Sequence, residues 1–164
     1  MLSSLKPKAL VIRESKIVHK SSIRHNSSRF VTEEAVTIMF NINLEDIYVV
    51  ECWRYIVYVH AKGVSKFVSY ADFPPIIGVE PPTTADFIKW RKRWKKQNEQ
   101  GRRSKAPELW VKFFLNEFWR SPSSAVLYTW GKLVALIKFA FHEERLQELR
   151  DSYRQQSKWL VVSR

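Results

Sequence analysis

The pattern of apolar positions divides the chain into a strand-forming half and a helix-forming half. Between residues 35 and 73 the apolar positions are mostly β-branched or aromatic and are interrupted by turn-forming residues, which is typical of strands. From residue 84 onward apolar residues recur every three or four positions, which is typical of amphipathic helices. We therefore predict an α+β fold, with a small antiparallel sheet of three or four strands over about 35–73 followed by about four helices over about 84–159.

Three segments carry the strand pattern. The first, 35–42, is apolar and β-branched and leads into a turn rich in Asn and Asp. The second, 47–61, is long enough for one bent strand or two short ones. Lys62 and Gly63 then form a tight turn, and 64–73 returns along the sheet. The tandem prolines that follow end it, because proline cannot donate a hydrogen bond to a neighbouring strand.

Four segments carry the helix pattern. In the first, Phe87, Trp90 and Trp94 fall on one stripe, with lysines and arginines on the opposite side. Thr83 and Asp86 mark its start, because a hydroxyl and a carboxylate three residues apart can bind free backbone N–H groups. The other three helices are predicted at 106–119, 126–141 and 143–159.

A chain of 164 residues fits one domain and can bury a substantial core. We assign 34–164 to a single α+β domain. Its parts are a sheet (34–75), a basic amphipathic helix and loop (83–105) and apolar helices (106–160). Residues 1–33 are predicted to be a basic, largely disordered arm, because the segment is rich in Ser, Lys and Arg. A short strand at 9–13 is the one regular element considered there.

Positive charge is concentrated in one place. Lys and Arg outnumber Asp and Glu by 28 to 16, and the pI is near 10.0, so the expected partners are nucleic acid, an anionic membrane surface or an acidic protein. Between Thr83 and Lys105 nine cationic and two anionic side chains give 9 − 2 = +7, more than half of the total of +12. The nine cations are Lys89, Arg91, Lys92, Arg93, Lys95, Lys96, Arg102, Arg103 and Lys105.

Like charges stacked along this helix favour a functional interpretation. Lys92 and Lys96 lie four residues apart, as do Lys89 and Arg93, and each such pair costs a few tenths of a kcal/mol, roughly, in an isolated helix. A polyanion would relieve the repulsion and would gain from counterion release. The competing interpretation is a surface helix whose cations merely face water. We predict a non-enzymatic protein that binds DNA or RNA through the nine cations, helped by the basic arm.

Aromatic residues in the strands offer another route to nucleic acid. Trp53, Tyr55, Tyr58 and Phe67 could stack on unpaired bases if their rings are exposed. Aromatic residues on a strand more often belong to the core, and the core is the interpretation that the sequence favours.

Catalytic motifs are absent from the sequence. It contains neither GxxxxGK[ST] nor GxGxxG, and no HExxH follows from His142, so we expect no cofactor and no metal. Asp46 and Glu51 lie beside a strand, as the metal ligands of a nuclease would, but their spacing fits no nuclease signature. Cys52 is the only cysteine, which excludes an intramolecular disulfide and a cysteine-rich zinc site. We interpret it as a buried strand residue.

Two other functions and two locations stay open. The basic helix could dock on an acidic partner in a larger assembly, or lie on an anionic membrane surface. A transmembrane segment is not expected, because 126–141 carries Lys132 and Lys138 and is shorter than the roughly 20 apolar residues needed. A single cysteine fits the cytoplasm, whereas the Ser- and Arg-rich, acid-poor residues 1–30 also match an organellar transit peptide.

Overall fold

The computed structural model describes residues 14–99 and 106–162. Four strands form one sheet in the order β1-β2-β3-β4. They are β1 (Ile17–His19), β2 (Ile47–Cys52), β3 (Val57–Ala61) and β4 (Val64–Val68). β1 pairs with β2 in parallel, and the other two pairings are antiparallel, so the sheet is mixed.

Helices make up most of the remainder. They are α1 (Glu33–Phe40), α2 (Thr84–Glu99), α3 (Ala106–Arg120), α4 (Ser124–Leu136) and α5 (Glu143–Val162). The α+β class is confirmed, and so are the four helices after the sheet in the described part of the chain. None of the described helices is both long and apolar enough to cross a membrane.

The strand predicted at 35–42 is wrong, because this segment is helix α1. The side chain of Thr32 accepts a hydrogen bond from the backbone N–H of Ala35 at 3.0 Å, which caps the helix. The helix ends where Asn41 adopts a left-handed conformation with φ of 51°. Ala35 and Val36 are fully buried, so the cap and tertiary packing outweigh the preference of β-branched residues for strands.

Residues 14–33 differ from the disordered arm that we predicted. The backbone of Val50 donates to the carbonyl of Lys16 at 2.8 Å, and that of Lys20 donates to the carbonyl of Cys52 at 2.9 Å, so β1 covers the edge of β2. A short 3₁₀ helix, Asn26–Phe30, follows and buries the Phe30 ring completely. Pairing and burial therefore order a segment whose composition is polar. The short strand predicted at 9–13 lies outside the described residues.

The hairpin of β3 and β4 is confirmed. Ala61 pairs with Val64, and Gly63 takes a φ of 74°, a left-handed conformation that favours glycine. Along β3 small apolar residues face inward and alternate with Tyr58 and His60, which face outward. The inner face of the sheet and the helices share one continuous core, and none of the described helices covers the outer face of the sheet, where Tyr48 and Phe67 are exposed.

Candidate nucleic-acid interface

Helix α2 presents a buried aromatic stripe on one side and cations on the other. Trp90 and Trp94 are 1% and 8% exposed, whereas all six cations of the helix are exposed. The six are Lys89, Arg91, Lys92, Arg93, Lys95 and Lys96. Arg102, Arg103 and Lys105, the other three predicted contacts, lie outside the described residues. The amphipathic arrangement predicted from the sequence is therefore confirmed for α2.

The start of α2 is fixed by a reciprocal cap and an ion pair. The Asp86 backbone N–H donates to Thr83 Oγ1 at 3.3 Å, and the Thr83 backbone N–H donates to Asp86 Oδ2 at 2.9 Å. Arg29 Nη2 donates to the same carboxylate oxygen at 2.7 Å. Burial alone would raise the pKa of Asp86, but the hydrogen bonds from Thr83 and Arg29 and the charge of Arg29 hold it below its usual value.

Tryptophan side chains hold the rest of α2 against a short 3₁₀ helix, Tyr70–Asp72, that follows β4. Trp94 Nε1 donates to the carbonyl of Ala71, and Trp110 Nε1 of α3 donates to the carbonyl of Asp72, both at 3.2 Å. The Trp110 ring meets the rings of Trp90 and Trp94 edge to face, each at 5.0 Å between centroids. The cationic side of α2 is therefore presented by a firmly packed helix.

The cations of α2 are largely free of partners. Among the residues that the structure describes, no carboxylate forms an ion pair with any of the six. Arg91 lies over the Phe139 ring at 4.2 Å. Arg93 acts at longer range on Asp72: burial raises the pKa of Asp72 to about 6, and the charge of Arg93 opposes that rise. The remaining four are lysines that face solvent.

Exposed aromatic rings cover the outer face of the sheet. Tyr58 of β3 pairs with Phe67 of β4, and their ring centroids are 4.9 Å apart. His60 lies 5.0 Å from Tyr48 and 6.3 Å from Tyr58, so the rings form one continuous group. The exposed fractions are Tyr48 56%, Trp53 43%, Tyr55 75% and Phe67 65%, with Tyr58 half-buried. The interpretation of Trp53, Tyr55 and Phe67 as core residues is therefore wrong.

The turn between β2 and β3 continues this aromatic surface. Trp53 Nε1 donates to Glu51 Oε1 at 3.3 Å, and Glu51 pairs with Tyr58 across the sheet, so the indole lies beside the outer face. Lys20 Nζ lies 3.6 Å from the Glu51 carboxylate and balances its charge. The guanidinium of Arg54 lies 5.1 Å from the centre of the Tyr55 ring. The turn therefore combines exposed rings with positive charge.

Tyr70 and His25 connect this turn to α2. The Tyr70 hydroxyl donates to the carbonyl of Trp53, and the His25 ring stacks on the Tyr70 ring at 4.1 Å. Burial lowers the pKa of His25, and the positive charge of Lys89 lowers it further. The carbonyl of Ala71, next to Tyr70, accepts a hydrogen bond from Trp94, so Tyr70 lies between the turn and α2. Sequence reasoning missed this connection because it assigned His25 to a disordered arm.

The residues considered for catalysis make contacts within the fold. The Asp46 carboxylate accepts a hydrogen bond from the backbone of Asn43 at 3.1 Å, and Glu51 is held by Lys20. Cys52 is buried as predicted, and burial raises the pKa of its thiol. Within residues 14–99 and 106–162, no group of three or more His, Cys, Asp or Glu side chains is arranged to hold a metal ion.

A second surface lies between α4 and α5. A groove of about 420 Å³ is lined by apolar side chains, including Val134 and Leu149. Its cations are Lys132, Lys138, Arg150 and Arg154. Other large apolar side chains of the helical half are also exposed, namely Trp119, Tyr128, Leu136, Trp159, Val161 and Val162. The helical half therefore has apolar surface without a partner in the described chain.

Comparison with known proteins adds no functional assignment. No protein-family model, no curated protein and no solved structure matches the chain. A functional proposal therefore depends on the geometry and charge of the described residues.

Proposed function

We propose that the protein is a non-enzymatic nucleic-acid-binding protein that contacts the phosphate backbone through α2 and the cations that follow it in the chain. The observation that carries the proposal is the row of six exposed cations on α2 without an ion pair among the described residues. Phosphates would supply the missing counter-charge, and the release of condensed counterions would add to the free energy of binding. The predicted additional contacts are Arg102, Arg103 and Lys105.

The packing of α2 supports this role. A helix that is capped at Thr83 and held by Trp90 and Trp94 keeps its cations in a fixed array before any partner arrives. Such preorganisation lowers the entropy cost of binding. Lysines would act mainly as phosphate contacts, and Arg93 is the candidate for a bidentate contact to a base edge, since Arg91 already lies on Phe139.

A salt titration against duplex DNA, single-stranded DNA and RNA tests the proposal. We expect the logarithm of the association constant to fall with the logarithm of salt concentration by about 0.9 per phosphate contact on duplex DNA. Replacing Lys92, Arg93, Lys95 and Lys96 by Ala should weaken binding and flatten that slope without unfolding the protein. Fluorescence polarisation on nucleic-acid-free protein measures both quantities.

The chain offers a matched control for this variant. Replacing Lys112, Lys132, Lys138 and Lys158 by Ala removes four exposed lysines from the helical half and changes the net charge equally, 12 − 4 = +8 in both cases. A slope that falls equally in both variants would mean that total charge drives binding, and an unchanged slope in the α2 variant would remove α2 from the proposal.

The exposed apolar side chains of the helical half favour a second candidate, a subunit or adaptor of a larger protein assembly. Trp119 and Trp159 are 74% and 63% exposed, and large aromatic residues of this kind are enriched in protein interfaces. In this case α2 would dock on an acidic partner. Weak binding that vanishes equally for all three nucleic acids near physiological salt would favour this candidate.

A further inference from the structure

We infer that the outer face of the sheet is a stacking surface for unpaired bases, so that the target is single-stranded nucleic acid. The surface consists of Tyr48, Trp53, Tyr58, His60 and Phe67 and is called the aromatic face below. This inference rests on the proposed function, because α2 supplies the phosphate contacts that bring the strand to the face.

Four rings of the aromatic face contact one another, and the fifth, Trp53, is held by its hydrogen bond to Glu51. Phe67 and Tyr48 lie on different strands, and each contacts a ring on β3, Tyr58 or His60. The Tyr58 hydroxyl also hydrogen-bonds the Ser65 hydroxyl, which fixes the Tyr58 ring. Rings that are held by neighbours lose little conformational entropy on binding, and every base has a flat face on which such a ring can stack.

Charge around the aromatic face suits a polyanion. Glu51, which pairs with Tyr58 across the sheet, is balanced by Lys20 at 3.6 Å. Arg54 lies on the exposed Tyr55 ring in the adjoining turn and can contact phosphate or stack on a base. An apolar protein surface would make no ionic contact with these cations. A nucleic-acid strand would stack its bases on the rings and bring its phosphates close to the cations.

The connection through Tyr70 and His25 gives the strand a path. The Trp53 carbonyl accepts the Tyr70 hydrogen bond on one side, and the carbonyl of Ala71, the residue after Tyr70, accepts a hydrogen bond from Trp94 of α2 on the other. A strand whose phosphates follow α2 can therefore turn its bases toward Trp53 and the sheet. A duplex keeps its bases stacked inside and could use only the charges, so the face distinguishes single strands from duplexes.

The test compares single-stranded and duplex DNA of one sequence with the full chain. Trp53→Ala/Phe67→Ala should lower single-strand affinity by at least about thirtyfold, since each stacking contact contributes about 1–3 kcal/mol and about 1.4 kcal/mol is a factor of ten. The dependence on salt should not change, because no charge is removed. Trp53→Phe/Phe67→Tyr, which keeps a ring at both positions, should bind as the wild type does.

Trp119→Ala/Tyr128→Ala is the matched control, because it removes two exposed aromatic side chains from the helical half and should leave single-strand affinity unchanged. If the Trp53→Ala/Phe67→Ala variant is folded by circular dichroism and binds single strands within about twofold of the wild type, the inference is overturned while salt-sensitive binding still supports the proposed function. A wild-type protein without salt-sensitive binding would overturn both. Equal affinity of the wild type for duplex and single strand would overturn the inference alone.

Discussion

Helices α2 and α5 look alike in outline and differ in how their charges are used. Both are long amphipathic helices that bury one stripe in the core. Over its 16 residues α2 carries six cations and two acids, whereas over its 20 residues α5 carries four of each. The arginines of α5 have partners: Arg145 pairs with Glu108 and Glu148, Arg150 with Glu143, and Arg154 with Asp151.

Within the described residues, carboxylates neutralise cations of α5 and leave the cations of α2 available to a partner. One of the two acids of α2, Asp86, is buried and already paired with Arg29, so it cannot neutralise the exposed cations. On α5 Arg145 pairs with Glu148 and Arg154 with Asp151, in each case three residues apart, so acids and cations there partly neutralise one another. The cations of α2 therefore keep their attraction for an external polyanion, whereas those of α5 are partly satisfied. Three sets of substitutions, each with a control on α5, probe this comparison.

The largest effect is expected where α2 is attached to the fold. Asp86→Ala removes the carboxylate that binds Arg29 and caps the helix, and leaves the charge of the half-buried guanidinium with backbone carbonyls as partners. We expect a loss of about 3 kcal/mol in the free energy of unfolding, measured by urea titration.

Asp151→Ala on α5 is the control, because it removes an exposed carboxylate that pairs with Arg154 at 3.9 Å. Its effect should stay below about 0.5 kcal/mol. Similar losses in both variants would mean that the Asp86 pair is no more important to the fold than a surface pair.

A smaller effect concerns Asp72, beneath α2. Its pKa in the folded protein is about 6, above its ordinary value of 3.8, because burial disfavours the carboxylate. The folded state therefore binds this proton more tightly than the unfolded state, and its contribution to stability is lost as the pH rises from about 4 to about 6. Asp72→Asn should remove this dependence on pH. Between about pH 4 and about pH 6 the unfolding free energy of the wild type should therefore fall by about 2 kcal/mol relative to that of the variant.

An arginine of α2, Arg93, influences this pH dependence, whereas Arg150 of α5 is not expected to. The charge of Arg93 opposes the rise that burial causes in the pKa of Asp72. Arg93→Ala should therefore raise this pKa further and shift the loss of stability to higher pH. Arg150→Ala on α5 should leave the pH profile in place, since Glu143 is its partner. Unfolding measured between pH 3 and about pH 8 decides the matter, and coincident profiles for Arg93→Ala and wild type would contradict it.

The smallest expected effect comes from replacing a cation by Glu, which should raise the stability in α2 and lower it in α5. Lys92→Glu places an acid four residues before Lys96 and replaces a repulsion by an attraction, so we expect a gain of about 0.5 kcal/mol in stability together with weaker nucleic-acid binding. Arg145→Glu on α5 breaks the pairs with Glu108 and Glu148 and places an acid beside both, so we expect a small loss of stability. Thermal unfolding of both variants provides the measurement. A destabilised Lys92→Glu variant would show that Lys92 has a structural partner.

The helical half could be predicted from the sequence because its signals agree. In α2 a cap at Thr83, a Trp stripe and an opposite row of cations all indicate the same helix. Helix α1 was misassigned because only eight residues carry its pattern and several are β-branched. The informative signal was Thr32, which caps the helix ahead of two glutamates that favour its N-terminal end.

Of the two parts of the candidate site, the sequence predicts the α2 cations and not the aromatic face. The exposure of the α2 cations followed from their position opposite Trp90 and Trp94. The aromatic face did not, because alternation along β3 shows that its two faces differ without showing which face is covered. Small β-branched residues alternate there with Tyr58 and His60, and that difference in size was the available clue. The three residues of β1 are too few to give any periodic signal.

The parallel pairing of β1 with β2 has a practical consequence for shortened forms of the protein. A chain beginning at residue 14 keeps the bonds that Lys16 and Lys20 make with β2. A chain beginning at residue 21 exposes the N–H and C=O groups along one edge of β2, which can pair with another molecule. The shorter version should therefore be harder to keep in solution, and a few residues at this edge govern how concentrated a sample can become.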